Sequence, residues 1–147
     1  MHDVKVAGFI AGIIGGILMS IQDYIAVFLL QIEQELYLEW GSVMIFGRLP
    51  ENLAEMAFGQ LAHAFFAGFL GIAFAYIVRN NMNRYLIRGV VFGVFSWFAI
   101  YSLSLMFRLP ALTTHTFNAT VSNLTGSITY GLVTAESFRR LAVFEVR

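Results

Sequence analysis

Four side chains that could hold a proton or a polar ligand, Asp23, His63, Tyr101 and Asn123, stand inside stretches that are otherwise free of charge. A carboxyl group at the centre of a membrane helix costs about 2.5 to 3.5 kcal/mol on insertion scales, so such a group turns inward toward a partner. Asp23 with His63 is the complementary pair. As an ion pair, or as a protonated acid bonded to imidazole, the two would accept a proton with jointly set pKa values. The same residues also suit a polar clasp that fixes helix register, or an Asp23 that reaches out to the membrane interface. Gln60, Gln22, Ser104 and His115 extend this polar set.

The elements that must position these groups follow from composition. The 147 residues are 59% hydrophobic and 12% charged, with a mean hydropathy of +0.74, too little charge to coat a soluble globule. At about 20 residues per crossing there is room for four helices in one all-α transmembrane domain, and none for a large catalytic domain outside the bilayer. The chain is therefore expected to be non-enzymatic. Zero net charge argues against a nucleic-acid partner. The absence of cysteine removes disulfides, thiolate metal sites and thiol nucleophiles together.

Charge-free stretches predict the spans. Val6 to Gln22 is interrupted by Asp23 and resumes to Leu30; Met56 to Val78 carries only His63 as an ionisable group; Gly89 to Phe107 is bounded by Arg88 and Arg108. Phe117 to Ala135 is uncharged but rich in Asn, Thr and Ser, so it should avoid lipid and seek helical neighbours. The expected helices cover about 4–31, 51–79, 86–107 and 114–138, with an amphipathic interfacial segment at about 32–49, all in a single transmembrane domain, 1–147. That segment reads as a surface-lying connector, a lid or a subunit contact. With four crossings and the N-terminus inside, Lys5, Arg79, Arg84, Arg88, Arg139, Arg140 and Arg147 lie inside and Arg48 and Arg108 outside. This bias predicts a polytopic four-helix bundle, N-in/C-in. The polar set then falls in the outer half, at depths of roughly 5 to 12 Å from the span centres.

The chain also repeats. Arg48-Leu49-Pro50 precedes the second span and Arg108-Leu109-Pro110 the fourth; Gly71 and Arg79 recur as Gly131 and Arg139, and Gly8 and Gly12 as Gly89 and Gly93. These matches can be read as two parallel helical-hairpin repeats, with the interfacial segment inserted in the first. Gly8, Gly12, Gly16 and Ser20 form one small-residue stripe, and Gly71, Gly89 and Gly93 extend such stripes to other helices. They permit close helix packing, within one bundle or in a homo-oligomer.

Other chemistries fit less well. His63 and His115 could ligate a haem, but His115 lies too far out to oppose His63 comfortably; a zinc site would need the same histidines with Glu55 or Asp23 and lacks a zinc-binding spacing. The expectation is no cofactor and no metal. Asn118-Ala119-Thr120 and Asn123-Leu124-Thr125 match the glycosylation sequon but fall in or beside a span, and read as coincidence.

From Leu61 to Leu141, Ala62-His63-Ala64-Phe65, Gly89-Val90-Val91-Phe92-Gly93 after a basic loop, Leu109-Pro110 and the ending Ser137-Phe138-Arg139-Arg140 resemble the YagU and YqhR type of small bacterial inner-membrane protein. The resemblance implies a multi-pass protein of the bacterial cytoplasmic membrane with an association to acid stress. Ser127 stands where YagU has a histidine, and Tyr101 lies near another family histidine. Three functions follow as expectations. The first is a non-enzymatic assembly or stress-related module with an outer-facing polar pocket, partnered by lipid and by itself or another membrane protein. The second is a proton or small-solute transporter or channel working through Asp23 and His63. The third is a haem-bearing electron-transfer anchor.

Overall fold

A computed structural model, describing residues 3–31, 37–109, 112 and 116–143, shows five α-helices and, among the described residues, no strand. They are α1 (Val4–Tyr24), α2 (Tyr37–Phe46), α3 (Leu53–Val78), α4 (Tyr85–Met106) and α5 (Phe117–Val143). α1 runs on through a wider π-helical turn, Ile25–Leu29, which Gln31 closes at a φ of +52°. Three segments, Val4–Leu29, Leu53–Val78 and Tyr85–Met106, are long and apolar enough to cross a membrane. The fourth expected span is a single helix, α5, of 27 residues, about 40 Å long at 1.5 Å per residue.

α1 and α3 begin where the sequence supplies a cap. Asp3 accepts from the Lys5 amide at 3.0 Å, and Asn52 accepts from the Glu55 amide at 2.9 Å. Glu55 reaches back to the Glu51 amide, and both of its oxygens take Arg48 nitrogens at 2.9 Å, so two backbone amides at the start of α3 are answered together. The α3 to α4 turn is tied by Arg88 donating to the Asn81 carbonyl at 2.6 Å.

Burial shows which helices are central. On α1 the buried residues run Gly8, Ala11, Gly12, Gly15, Gly16, Met19, Ser20, Asp23. On α5 they run from Asn123 to Phe138 in the same alternation of three and one, the width of stripe a helix shows when it packs on both sides. α1 and α5 accordingly form the middle of the bundle. α3 packs against α1, α4 against α5 and α2 against α3, while α3 and α4 scarcely touch.

The close approaches recur at a fixed offset. A Cβ placed on Gly8 would lie 2.7 Å from the Ala75 Cβ and 2.8 Å from the Gly71 carbonyl; one on Gly89 would lie 2.8 Å from the Ala135 Cβ and would overlap the Gly131 carbonyl. Gly12 abuts the Ala67 carbonyl, and Gly93 abuts the Ser127 carbonyl. The partners differ by 81 residues on α1 and α4 and by 60 on α3 and α5. α3 therefore meets α1 as α5 meets α4, each pair antiparallel. Gly16 belongs to the first contact as well, its Cβ position 2.7 Å from the Ala67 Cβ.

The two pairs join asymmetrically. At the end holding the α3 to α4 turn, Ala11, Phe74, Ala75, Val78, Ala135 and Phe138 form one buried cluster, and the Phe74 and Phe92 rings close the gap between α3 and α4 at 5.5 Å. Beside that cluster Glu136 receives Arg139, Arg140 and the Tyr85 hydroxyl. Toward the opposite end α3 and α4 diverge, and α2 lies across the gap. Gly41 lets α2 approach α3, where a Cβ would lie 2.7 Å from the Gly59 carbonyl. Trp40 stacks on Tyr101 of α4 at 4.9 Å, and Trp40, Val43 and Leu112 are buried together. Over its described part, the segment expected to lie on the membrane surface buries Trp40, Ser42 and Val43 against the bundle and leaves Met44, Ile45 and Phe46 exposed.

Because the contacts are backbone to backbone, Gly12→Ala and Gly93→Ala should each destabilise the protein, by similar amounts of about 1 to 3 kcal/mol. Gly126→Ala should change stability little, since its Cβ would meet only the Met19 side chain at 3.4 Å. Unfolding in detergent followed by circular dichroism checks this; three equal effects would remove the significance of the close approaches.

Candidate functional site

The polar residues singled out by sequence gather toward the α2 end, in two clasps and a small pocket. In the first clasp the Gln60 amide nitrogen donates to the Ser20 hydroxyl at 3.0 Å, and that hydroxyl lies 3.4 Å from His63 Nδ1. The Ser20 oxygen has two lone pairs, so it accepts from Gln60 and either donates to Nδ1 or accepts from it, as the His63 tautomer dictates. In the second clasp Asn123 donates to the Tyr101 hydroxyl at 2.8 Å.

The clasps are counterparts. Tyr101 follows Ser20 by 81 residues and Asn123 follows His63 by 60, the same offsets that relate the glycine contacts. This correspondence was legible in the sequence once the glycine offsets were accepted, and it identifies Ser20, which composition alone does not mark. Ser104, at the position equivalent to Asp23, is buried and donates to the Tyr101 carbonyl at 2.8 Å.

Asp23 is buried, at 8% exposure, on the α5 side of α1. It lines a small pocket with Met19, Gln22, Ser122, Asn123 and Gly126, and Gln22 beside it donates to the Thr125 hydroxyl at 3.2 Å. The structure thus brings Asp23 to Asn123 and His63 to Ser20. A polar stripe continues down α5 through Ser127, Tyr130 and Thr134, all buried, with the Tyr130 hydroxyl donating to the Ala67 carbonyl at 2.7 Å. His115, the second histidine of the haem and zinc readings, lies outside the described residues. Among the described residues no three His, Asp or Glu side chains come together as metal ligands would.

Where α3 and α4 diverge there is a cavity of about 400 Å³. α2 covers it through Trp40, Gly41, Met44 and Ile45; Ala62, His63 and Phe66 form the α3 wall, and Ile100, Leu103, Ser104 and Phe107 the α4 wall. It narrows to a space of about 30 Å³ that shares His63, Phe66 and Ile100 and ends among Trp97, Ser127 and Tyr130. Trp97 is a residue that the search for ionisable groups passes over. Its indole nitrogen is buried without a hydrogen-bond partner, as is the Gln60 carbonyl oxygen, and buried polar groups in that condition are uncommon.

The site is thus an apolar cavity with polar groups at its narrow end, inside a bundle with three helices of membrane-spanning length. Compared with known proteins, the chain matches no family model, no curated sequence and no solved structure.

The clasps should show energetic coupling. Tyr101→Phe with Asn123→Ala, and Ser20→Ala with His63→Ala, should each give a double-mutant coupling of about 0.6 kcal/mol, up to about 1.7. Asp23→Asn with His63→Gln should be additive within about 0.5 kcal/mol. A coupling of Asp23 to His63 larger than either clasp's would restore the direct pair.

Proposed function

We propose that the chain is a non-enzymatic membrane module of four spans, N-in/C-in, built from two hairpin repeats, with a polar pocket opening on the outer side. The observation that supports this best is the recurrence of one contact set, Gly8, Gly12, Ala67, Gly71 and Ala75 reappearing as Gly89, Gly93, Ser127, Gly131 and Ala135. If α3 crosses the membrane, then α5, which stands to α4 as α3 stands to α1, crosses as well. Its polarity is no obstacle, because Asn123, Ser127 and Thr134 are buried against other helices rather than turned to lipid. The seven-to-two distribution of basic residues supports the orientation. The resemblance to the YagU type supports a place in the bacterial cytoplasmic membrane. On this reading the paired clasps fix register, and the module works by assembling with itself or with another membrane protein.

A second reading, proton or small-solute passage, is favoured by one specific feature. The buried Asp23 and Asn123 stand at the head of the α5 stripe of Ser127, Tyr130 and Thr134, a spacing that offers hydroxyls along most of the helix. Liposomes loaded with a pH-sensitive dye separate the two readings. The module should leak protons no faster than empty liposomes; flux abolished by Asp23→Asn would establish passage instead, because an amide cannot exchange that proton.

A reporter fused after Arg147 should read the cytoplasmic side. An external reading would remove the four-span topology and the hairpin repeat with it.

A further inference from the structure

We propose that the cavity between α3 and α4 is a binding site for a neutral, carbonyl-headed amphiphile of the alkyl-quinone kind, admitted sideways from the bilayer. The inference rests on the membrane placement of α3 and α4 proposed above, and not on which way the protein faces. At about 400 Å³ the cavity falls within the range of about 300 to 1,000 Å³ of sites that hold small organic molecules.

Its chemistry selects the ligand. Phe66, Leu103, Phe107, Met44 and Ile45 rim it as exposed apolar side chains, so its mouth faces the surface that lipid would cover, and a hydrocarbon tail can enter without crossing water. No Lys or Arg lines it among the described residues. An anionic head would therefore meet no counter-charge among the described residues, and burying it so is costly. The narrow end offers a donor. The Trp97 N–H is buried and has no partner. An N–H donor in an apolar recess matches a carbonyl oxygen, which satisfies Trp97 at no cost in charge.

The sequence contains only two tryptophans, and both line these spaces, Trp40 the cavity and Trp97 its narrow end. Intrinsic fluorescence therefore reports the site directly. The full-length protein in nanodiscs would be titrated with a decyl-substituted benzoquinone, with decane and decanoate as competitors. The expected result is saturable quenching at one quinone per chain, with decane and decanoate at least tenfold weaker. Ala62→Phe, which fills the cavity from α3, and Leu103→Trp, which fills it from α4, should each raise the Kd at least tenfold. Trp97→Phe, read through Trp40, should raise it about fivefold by removing the donor.

Quenching that rises linearly and is unchanged in the filled variants would be partition into lipid, and would overturn the site. Decane competing as well as the quinone, or Trp97→Phe binding normally, would overturn recognition of the head. If one filled variant does not fold, the other decides. The titration is independent of the reporter fusion, so loss of binding and loss of the four-span topology are separate outcomes.

Discussion

The architecture depends on backbone-to-backbone contact between helices. Gly8 and Gly71, and again Gly89 and Gly131, leave no room for a Cβ on either side. In a bilayer there is little hydrophobic gain from bringing apolar helices together, since lipid is as apolar as leucine. What remains is van der Waals contact at short range, which small residues make possible. These contacts lie toward the end that holds the α3 to α4 turn, so the helices are drawn together there and are free to separate at the other end. The divergence of α3 from α4, the cavity between them and the need for α2 to cover it all follow from where the glycines fall.

α2 shows how an insertion can take a structural role. It is bound to α3 through the Gly41 and Gly59 approach and to α4 through Trp40 on Tyr101, so it bridges the two helices at the end where they diverge. Its Ser42 and Val43 are buried. The first pair of helices carries this insertion and the second does not, which is one source of the asymmetry between them. Another lies at the positions equivalent to Gly16 and Trp97. Gly16 lets α1 meet Ala67, whereas Trp97 places an indole at the narrow end of the cavity.

The polar residues obey the same division. Ser20 with His63 and Tyr101 with Asn123 hold the two helix pairs at equivalent heights, and each bond satisfies groups that would be expensive to bury alone. Asp23 lines a small pocket between α1 and α5 with Asn123 and Ser122. Because α1 and α5 are central, any path through the bundle would follow their shared face, while the larger apolar cavity lies between the outer helices.

The sequence by itself determined the helices and their buried faces. The charge-free stretches located α1, α3 and α4, and the polar content of the last uncharged stretch indicated that α5 needs neighbours on several sides. The small-residue spacing marked Gly8, Gly12, Gly89 and Gly93 as contact positions, and the recurrence of Gly71 as Gly131 already contained the equivalence of His63 and Asn123. Only the tertiary structure decided which residues meet. Ser20 and Asp23 are three residues apart on α1, and a turn of about 60° about the helix axis separates their directions. That turn directs Ser20 to His63 on α3 and Asp23 toward α5, where composition marked Asp23 and His63 and left Ser20 out. The cavity and the covering role of α2 were likewise beyond the sequence. Periodicity specifies the face a helix buries, but the distance between two helices that do not pack is set by the contacts of their neighbours.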